Sequence, residues 1–135
     1  MIDDVSPQAT WQALEENSAA QLIDVRTPAE WLFVGMPDVS QIGRAVHPVS
    51  WQLPGGLVNS QFLEELSATG ATEGQPLYFI CRSGSRSRAA AKAAKQAGFG
   101  PVFNVADGFE GPLDAHSHRG GSAGWKAAGL PWQQH

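Results

Sequence analysis

"YFICRSGSRSRAAAKAA", residues 78–94, decides how this chain is read. The residues before it, "QPL", extend an apolar run that ends at Ile80. Its apolar positions are consecutive rather than alternating, the pattern of a strand covered on both faces of a parallel sheet. Next comes Cys81, the one cysteine of the chain, and a loop from Arg82 to Ser87 made only of Arg, Ser and Gly. An Ala-rich segment of strong helix propensity then runs from Ser87 to a stop at Gly98. A strand, a small-residue turn and a helix in succession place Cys81 beyond the carboxyl end of a sheet strand. Open α/β sheets bind their ligands there.

Working outward, the rest of the sequence alternates helices with strands. Ser6 and Pro7 are a cap and first residue for a helix to about Asn17, with Trp11 and Leu14 on one apolar face. Leu22, Ile23 and Val25 form a short strand. Thr27, Pro28 and Gly35 mark the start and stop of a second helix. Residues 36–56 are broken by Pro and Gly and read mostly as loop, with a strand near Ala45 to Val49. Asn59 or Ser60 caps a third helix with Phe62, Leu63 and Leu66 inward. "PVFNV" (101–105) is a strand, and a short helix is expected around Trp125 to Ala128. The alternation gives an α/β class with a mainly parallel sheet, and 135 residues suit one domain, 1–135.

The net charge of −4 argues against a nucleic-acid partner. Its distribution is uneven. Gly74 to Ala106 contains no acid but holds Arg82, Arg86, Arg88, Lys92 and Lys95, so that stretch carries +5 and the remainder −9. A solvated helix face is the plain meaning of such a cluster. Here it adjoins the thiol, which favours a small anionic ligand. A single cysteine excludes an intramolecular disulfide and a cysteine-built structural zinc site. No apolar run is long enough to span a bilayer, and "MIDDVSPQATW" lacks a basic leader, so no membrane partner and a cytoplasmic location are expected. The sequence leaves the oligomeric state open.

The Arg-Ser-Gly loop leaves the backbone free to curl with successive N–H groups pointing inward. At a helix N-terminus such a nest binds anions. The helix end and nearby guanidinium groups also favour the thiolate, which is the nucleophile. A covalent adduct on Cys81 is therefore expected. A buried inert thiol is the common fate of a lone cysteine, but it needs no Arg-Ser-Gly-Ser-Arg behind it. Cysteine-dependent phosphatases carry Cys, five residues, then Arg. Counting from Cys81, that place holds Ser87, with Arg86 one residue early and Ile80 where a His usually precedes the cysteine. The smaller ring fits a single sulfur atom.

At these residues the chain resembles the single-domain rhodaneses, thiosulfate:acceptor sulfurtransferases. "CRSGSR" (81–86) resembles their active-site loop, and "LIDVRTPAEW" (22–31) their upstream Asp-Val-Arg, Pro and Glu signature. "NVADGFEG" (104–111) and "GWKAAGLPW" (124–132) resemble their closing segments. The chain departs at "GMPDVSQIGRAV" (35–46), at Asp107 where a second Gly is common, and in an insertion, Pro112 to Ala123.

The resemblance implies a central, mainly parallel sheet flanked by helices on both faces. It implies that thiolate Cys81 takes the outer sulfur of a donor such as thiosulfate, releasing sulfite. The persulfide formed would be held by loop amides from Arg82 through Gly84 to Arg86 and by the hydroxyls of Ser83, Ser85 and Ser87. Arg82 and Arg86 would draw in the anionic donor, and cyanide or a thiol would accept the sulfur. No cofactor or metal is required. Two other classes stay open: a persulfide-carrying binding or sensing module, and a small-anion reductase or phosphatase. The last is disfavoured by loop length and by the lack of a resolving cysteine.

Asp24, Arg26 and Glu30 read as structural, and His47 as a polar strand-end residue. His116 and His118 in "HSH" are a weak metal signal. Trp125 and Trp132 read as anchors of the tail onto the core.

Overall fold

The computed structural model describes residues 2–134. In chain order the elements are β1 (Asp3–Val5), α1 (Pro7–Glu16), β2 (Gln21–Asp24), α2 (Pro28–Phe33), β3 (Met36–Pro37), β4 (Val46–Pro48), α3 (Phe62–Ala68), β5 (Glu73–Ile80), α4 (Ser85–Gln96), β6 (Gly100–Val105) and β7 (Trp132–Gln133). A single 3-10 turn covers Ser40–Ile42. Five strands form one sheet in the order β1-β6-β5-β2-β4, every pair parallel. β3 and β7 make a separate antiparallel ribbon.

β5 lies at the centre, and this explains its unbroken apolar run. Leu77, Phe79 and Cys81 point to one face, into a core with Phe62 and Leu66 of α3 and Ala90, Ala91 and Ala94 of α4. Tyr78 and Ile80 point to the other, into a core with Leu14 of α1, Phe109 and Trp125. The small alanines let α4 lie close on the sheet. After β2 the chain moves on to β4, and after β5 it moves on to β6, in opposite directions along the sheet. The crevice between the ends of β2 and β5 is therefore the topological switch point, where ligands bind in such sheets.

The local start signals form as the residues dictate. Ser6 Oγ accepts the Ala9 N–H at 3.0 Å, with Pro7 first in α1. Thr27 and Glu30 form a reciprocal capping box at α2. Val25 N–H bonds the Ile80 carbonyl at 2.9 Å, carrying the β2 pairing one residue past the strand.

Several expectations are corrected. α4 begins at Ser85, inside the expected loop, because Gly84 caps it at φ +117°, a conformation open to glycine. Leu63 is 39% exposed while Phe62 and Leu66 are buried, so the inward face of α3 is narrower than expected. Its cap is Gln61; Asn59 lies two residues before it, and Asn59 Oδ1 accepts the Gln61 N–H at 3.1 Å. The expected helix at 125–128 is a single turn closed by Ala128 N–H to the Gly124 carbonyl at 3.0 Å. β1, β3 and β7, of two or three residues each, are additions to the expected elements.

Candidate active site at Cys81

Cys81 follows directly from β5 and is almost wholly buried, at 1% exposure. Two groups meet its sulfur. The Gly84 N–H donates to Sγ at 3.1 Å, an approach set by the left-handed turn at that glycine. Ser87 Oγ, on the first turn of α4 and itself buried, lies 3.1 Å from Sγ. The carbonyls behind the thiol are anchored too. Phe109 N–H bonds the Cys81 carbonyl at 2.8 Å, and the Glu110 and Gly111 N–H groups bond the Arg82 carbonyl at 3.0 and 3.1 Å. The loop is thus held from outside by the segment after β6.

That segment passes very close. A Cβ on Gly108, where φ is +63°, would stand 2.5 Å from the Cys81 carbonyl oxygen. Asp107, the departure from the glycine pair, also takes φ +63°. Asp is among the residues that tolerate this conformation, so the departure leaves the backbone path intact.

The loop residues named from the sequence divide. Gly84 and Ser87 reach the sulfur. Ser83 and Ser85 border a neighbouring hollow with Asp4, Arg88 and Asn104. Arg82 is exposed and, among the described residues, makes no ion pair or side-chain hydrogen bond. Arg86 is not free. Its guanidinium grips the Glu30 carboxylate with two bonds, 2.6 and 2.9 Å. Burial pushes the Glu30 carboxyl up, but hydrogen bonds and charge from Arg86, with help from Thr27, outweigh it and hold the group below the usual range. The Glu30 bond in turn pushes Arg86 further up against its own burial, aided by the charges of Glu30, Cys81 and Asp24. Among the described residues, Arg82 is therefore the loop cation without an ion pair.

Asp24 and Arg26 sit at the end of β2, fully buried, and act as scaffold. Arg26 Nη2 donates to Asp24 Oδ2 at 2.8 Å and to the Gly35 carbonyl at 2.6 Å, with its carbon 4.4 Å above the Phe109 ring. His47 Nε2 lies 2.9 Å from Gln21 Oε1, a strand-to-strand contact. His116 and His118 are exposed, and their backbone N–H groups bond Asp114 Oδ1. Among the described residues no group of three or more His, Cys, Asp or Glu comes together. Trp125 is buried and donates to the Pro131 carbonyl at 2.7 Å, anchoring the tail. Trp132 is 42% exposed, edge-on to Phe109 and under the Lys126 ammonium.

The sequence reading missed Asn104 and Asp4. Asn104, buried in β6, stands behind Ser87 with Oδ1 at 2.5 Å from its Oγ. Its Nδ2 donates to Asp4 Oδ1 at 2.9 Å and to the Gly84 carbonyl at 3.2 Å. Asp4 also pairs with Arg88. The signal available was one amide within an otherwise apolar strand.

Comparison with known proteins fits this geometry. The family model described as the STR4 middle domain matches residues 3–135. The chain is 33% identical over 133 residues to the uncharacterized protein RC0915 of Rickettsia conorii, across 98% of each chain. It is 28% identical over 131 residues to a sulfurtransferase of Allochromatium vinosum, across 97% of this chain and 94% of that one. The crystal structure of Rv0390 from M. tuberculosis matches with a TM-score of 0.91 at 49% identity, covering 98% of both chains. No helix among the described residues is long and apolar enough to cross a membrane. The chain belongs to the STR4 middle-domain family and has the rhodanese-like fold, among whose members are sulfurtransferases.

Proposed function

We propose that this protein is a sulfurtransferase that carries a sulfane sulfur on Cys81. The observation that supports it most is the pairing of Gly84 N–H and Ser87 Oγ on one sulfur, each at 3.1 Å, at the switch point of the sheet. The Cys81 thiolate attacks the outer sulfur of thiosulfate. The S–S bond of the donor breaks, and sulfite leaves with its electron pair. Cys81 is left as a persulfide whose charge lies on the terminal sulfur. Loop amides from Arg82 to Arg86 stabilise that charge, and the bonds that hold the Cys81 and Arg82 carbonyls keep the start of the loop in place. Cyanide or a thiol then attacks the terminal sulfur, and the thiolate returns. Two half-reactions through a covalent intermediate give ping-pong kinetics.

Arg82 supplies the attraction for the anionic donor, since Arg86 is committed to Glu30. The near-burial of Cys81 selects small reacting groups, such as a terminal sulfur or cyanide. No metal or organic cofactor enters, because the thiol carries the sulfur. A reducing cytoplasm suits a lone thiol of this kind. The test is steady-state thiocyanate formation from thiosulfate and cyanide. The wild-type protein turns over with parallel double-reciprocal lines, and Cys81→Ser does not. Persulfide formation without turnover for any acceptor would make the protein a sulfur-carrying module. Phosphate release from an aryl phosphate at a comparable rate would replace the reading with a phosphatase.

A further inference from the structure

The sulfur-transfer scheme gives Asn104 no task, yet its amide is fully committed. One Nδ2 hydrogen goes to Asp4 Oδ1 at 2.9 Å and the other to the Gly84 carbonyl at 3.2 Å. The amide is thereby oriented, and its Oδ1 must face Ser87 Oγ at 2.5 Å. Ser87 has one hydroxyl hydrogen and three acceptors around it: Asn104 Oδ1, the Gly84 carbonyl at 3.2 Å and Cys81 Sγ at 3.1 Å. Cys81, Ser87 and Asn104 are themselves buried.

Three states of the sulfur use that hydrogen differently. As a thiol, Cys81 donates S–H to Ser87 Oγ, and Ser87 donates to Asn104; each polar atom is satisfied. As a thiolate, Cys81 keeps the Gly84 N–H and gains a second donor when Ser87 turns its O–H to the sulfur. Asn104 Oδ1 then faces the lone pairs of Oγ with no hydrogen between them. A buried acceptor left in this way costs about 1–3 kcal/mol. With a second sulfur attached, Sγ carries neither proton nor charge, and the hydroxyl returns to Asn104.

We propose that Asn104 is a positioning residue that competes with the Cys81 sulfur for the single Ser87 hydrogen, disfavouring the free thiolate relative to the thiol and to the sulfur-loaded form. Only the loaded half of this statement rests on the sulfur-transfer reading. The charged groups around the sulfur are Arg86 of α4 with Glu30 of α2, Asp24 and Arg26 at the end of β2, Arg82 and Asp107 on the flanking loops, and Asp4 with Arg88 behind the amide. Substitution of Asn104 leaves each of these side chains in the protein.

The experiment is the rate of Cys81 alkylation by iodoacetamide against pH, in wild type, Asn104→Ala, Ser87→Ala and the double variant. In Asn104→Ala the half-maximal pH falls by about one unit, a tenfold gain in thiolate below it. In Ser87→Ala it rises, because the thiolate loses its hydroxyl donor. The double variant matches Ser87→Ala, since without the hydroxyl there is nothing to compete for. Thermal unfolding checks that each variant is folded; should Asn104→Ala fail, Asn104→Ser, too short to reach Ser87, gives the same fall. An unchanged or raised half-maximal pH in the Asn104 variant, or an undiminished effect of that substitution without Ser87, overturns the proposal. Alkylation needs no sulfur donor, so this result stands apart from whether the protein transfers sulfur.

Discussion

Glu30 accepts two hydrogen bonds from Arg86, at 2.6 and 2.9 Å, and so ties the first turn of α2 to the first turn of α4. The two signature segments of the sequence are joined by this pair. Arg86→Ala leaves a half-buried carboxylate without its partner and lowers stability by about 1–3 kcal/mol. Glu30→Gln keeps the shape and loses the charge. The double variant Arg86→Ala/Glu30→Gln is expected to lose less than the sum, with a coupling of roughly 0.5–3 kcal/mol in urea unfolding. Simple additivity would mean that the pair does not hold the loop.

The same pair gives the protein an acid limb. Burial raises the Glu30 carboxyl, but the Arg86 and Thr27 contacts outweigh burial and bring it below its ordinary 4.5 in the folded state. A carboxyl lowered on folding stabilises fully above its unfolded value and loses that contribution as pH falls through the folded value. The stability gap between wild type and Glu30→Gln should stay constant near neutrality and close below about pH 4.5. A gap that is unchanged well into the acid range contradicts this.

Arg26 is a buried residue whose guanidinium is bonded to Asp24 and to the Gly35 carbonyl. Its removal strands a fully buried Asp24 carboxylate. Arg26→Ala should cost about 3–5 kcal/mol. Arg26→Lys should rescue little, because both Nε and Nη2 reach Asp24 and a lysine has no such fork. Thermal unfolding of the two variants checks this; near-complete rescue by Lys would show that charge alone matters.

Adjacent residues with the same backbone angle should respond differently. Gly108→Ala drives a methyl toward the Cys81 carbonyl oxygen and the Arg82 backbone, at 2.5 and 2.6 Å. The start of the loop must shift, and a misplacement near 1 Å lowers turnover by roughly a hundredfold. Asp107→Gly only relaxes a tolerated conformation and should change stability by about 1 kcal/mol or less. Equal turnover of Gly108→Ala and wild type would show that the loop position is not set by this contact.

The elements that position the thiol were legible because their signals are local. A two-faced apolar run, a loop of Arg, Ser and Gly, and an Ala-rich helix define β5, the turn and α4 within 26 positions, 73–98. Thr27 and Pro28 are adjacent, so the start of α2 was readable as a helix start. Glu30 with Arg86 was not, because the partners lie 56 positions apart and nothing in one sequence couples them. For this reason Arg86 read as a free cation. β1 escaped notice because three residues carry no periodicity, and with it went Asp4 and the meaning of Asn104. The start of α4 was misjudged by two residues because a glycine N-cap with no side-chain bond leaves no capping signal.

The central claim is that Cys81 carries sulfur, and intact-protein mass spectrometry tests it most directly. After incubation of the reduced protein with thiosulfate, the mass should rise by one sulfur atom, map to Cys81, be absent in Cys81→Ser, and return to its starting value on addition of cyanide. No added sulfur on a folded protein with an alkylatable thiol, or sulfur that cyanide does not remove, would contradict it.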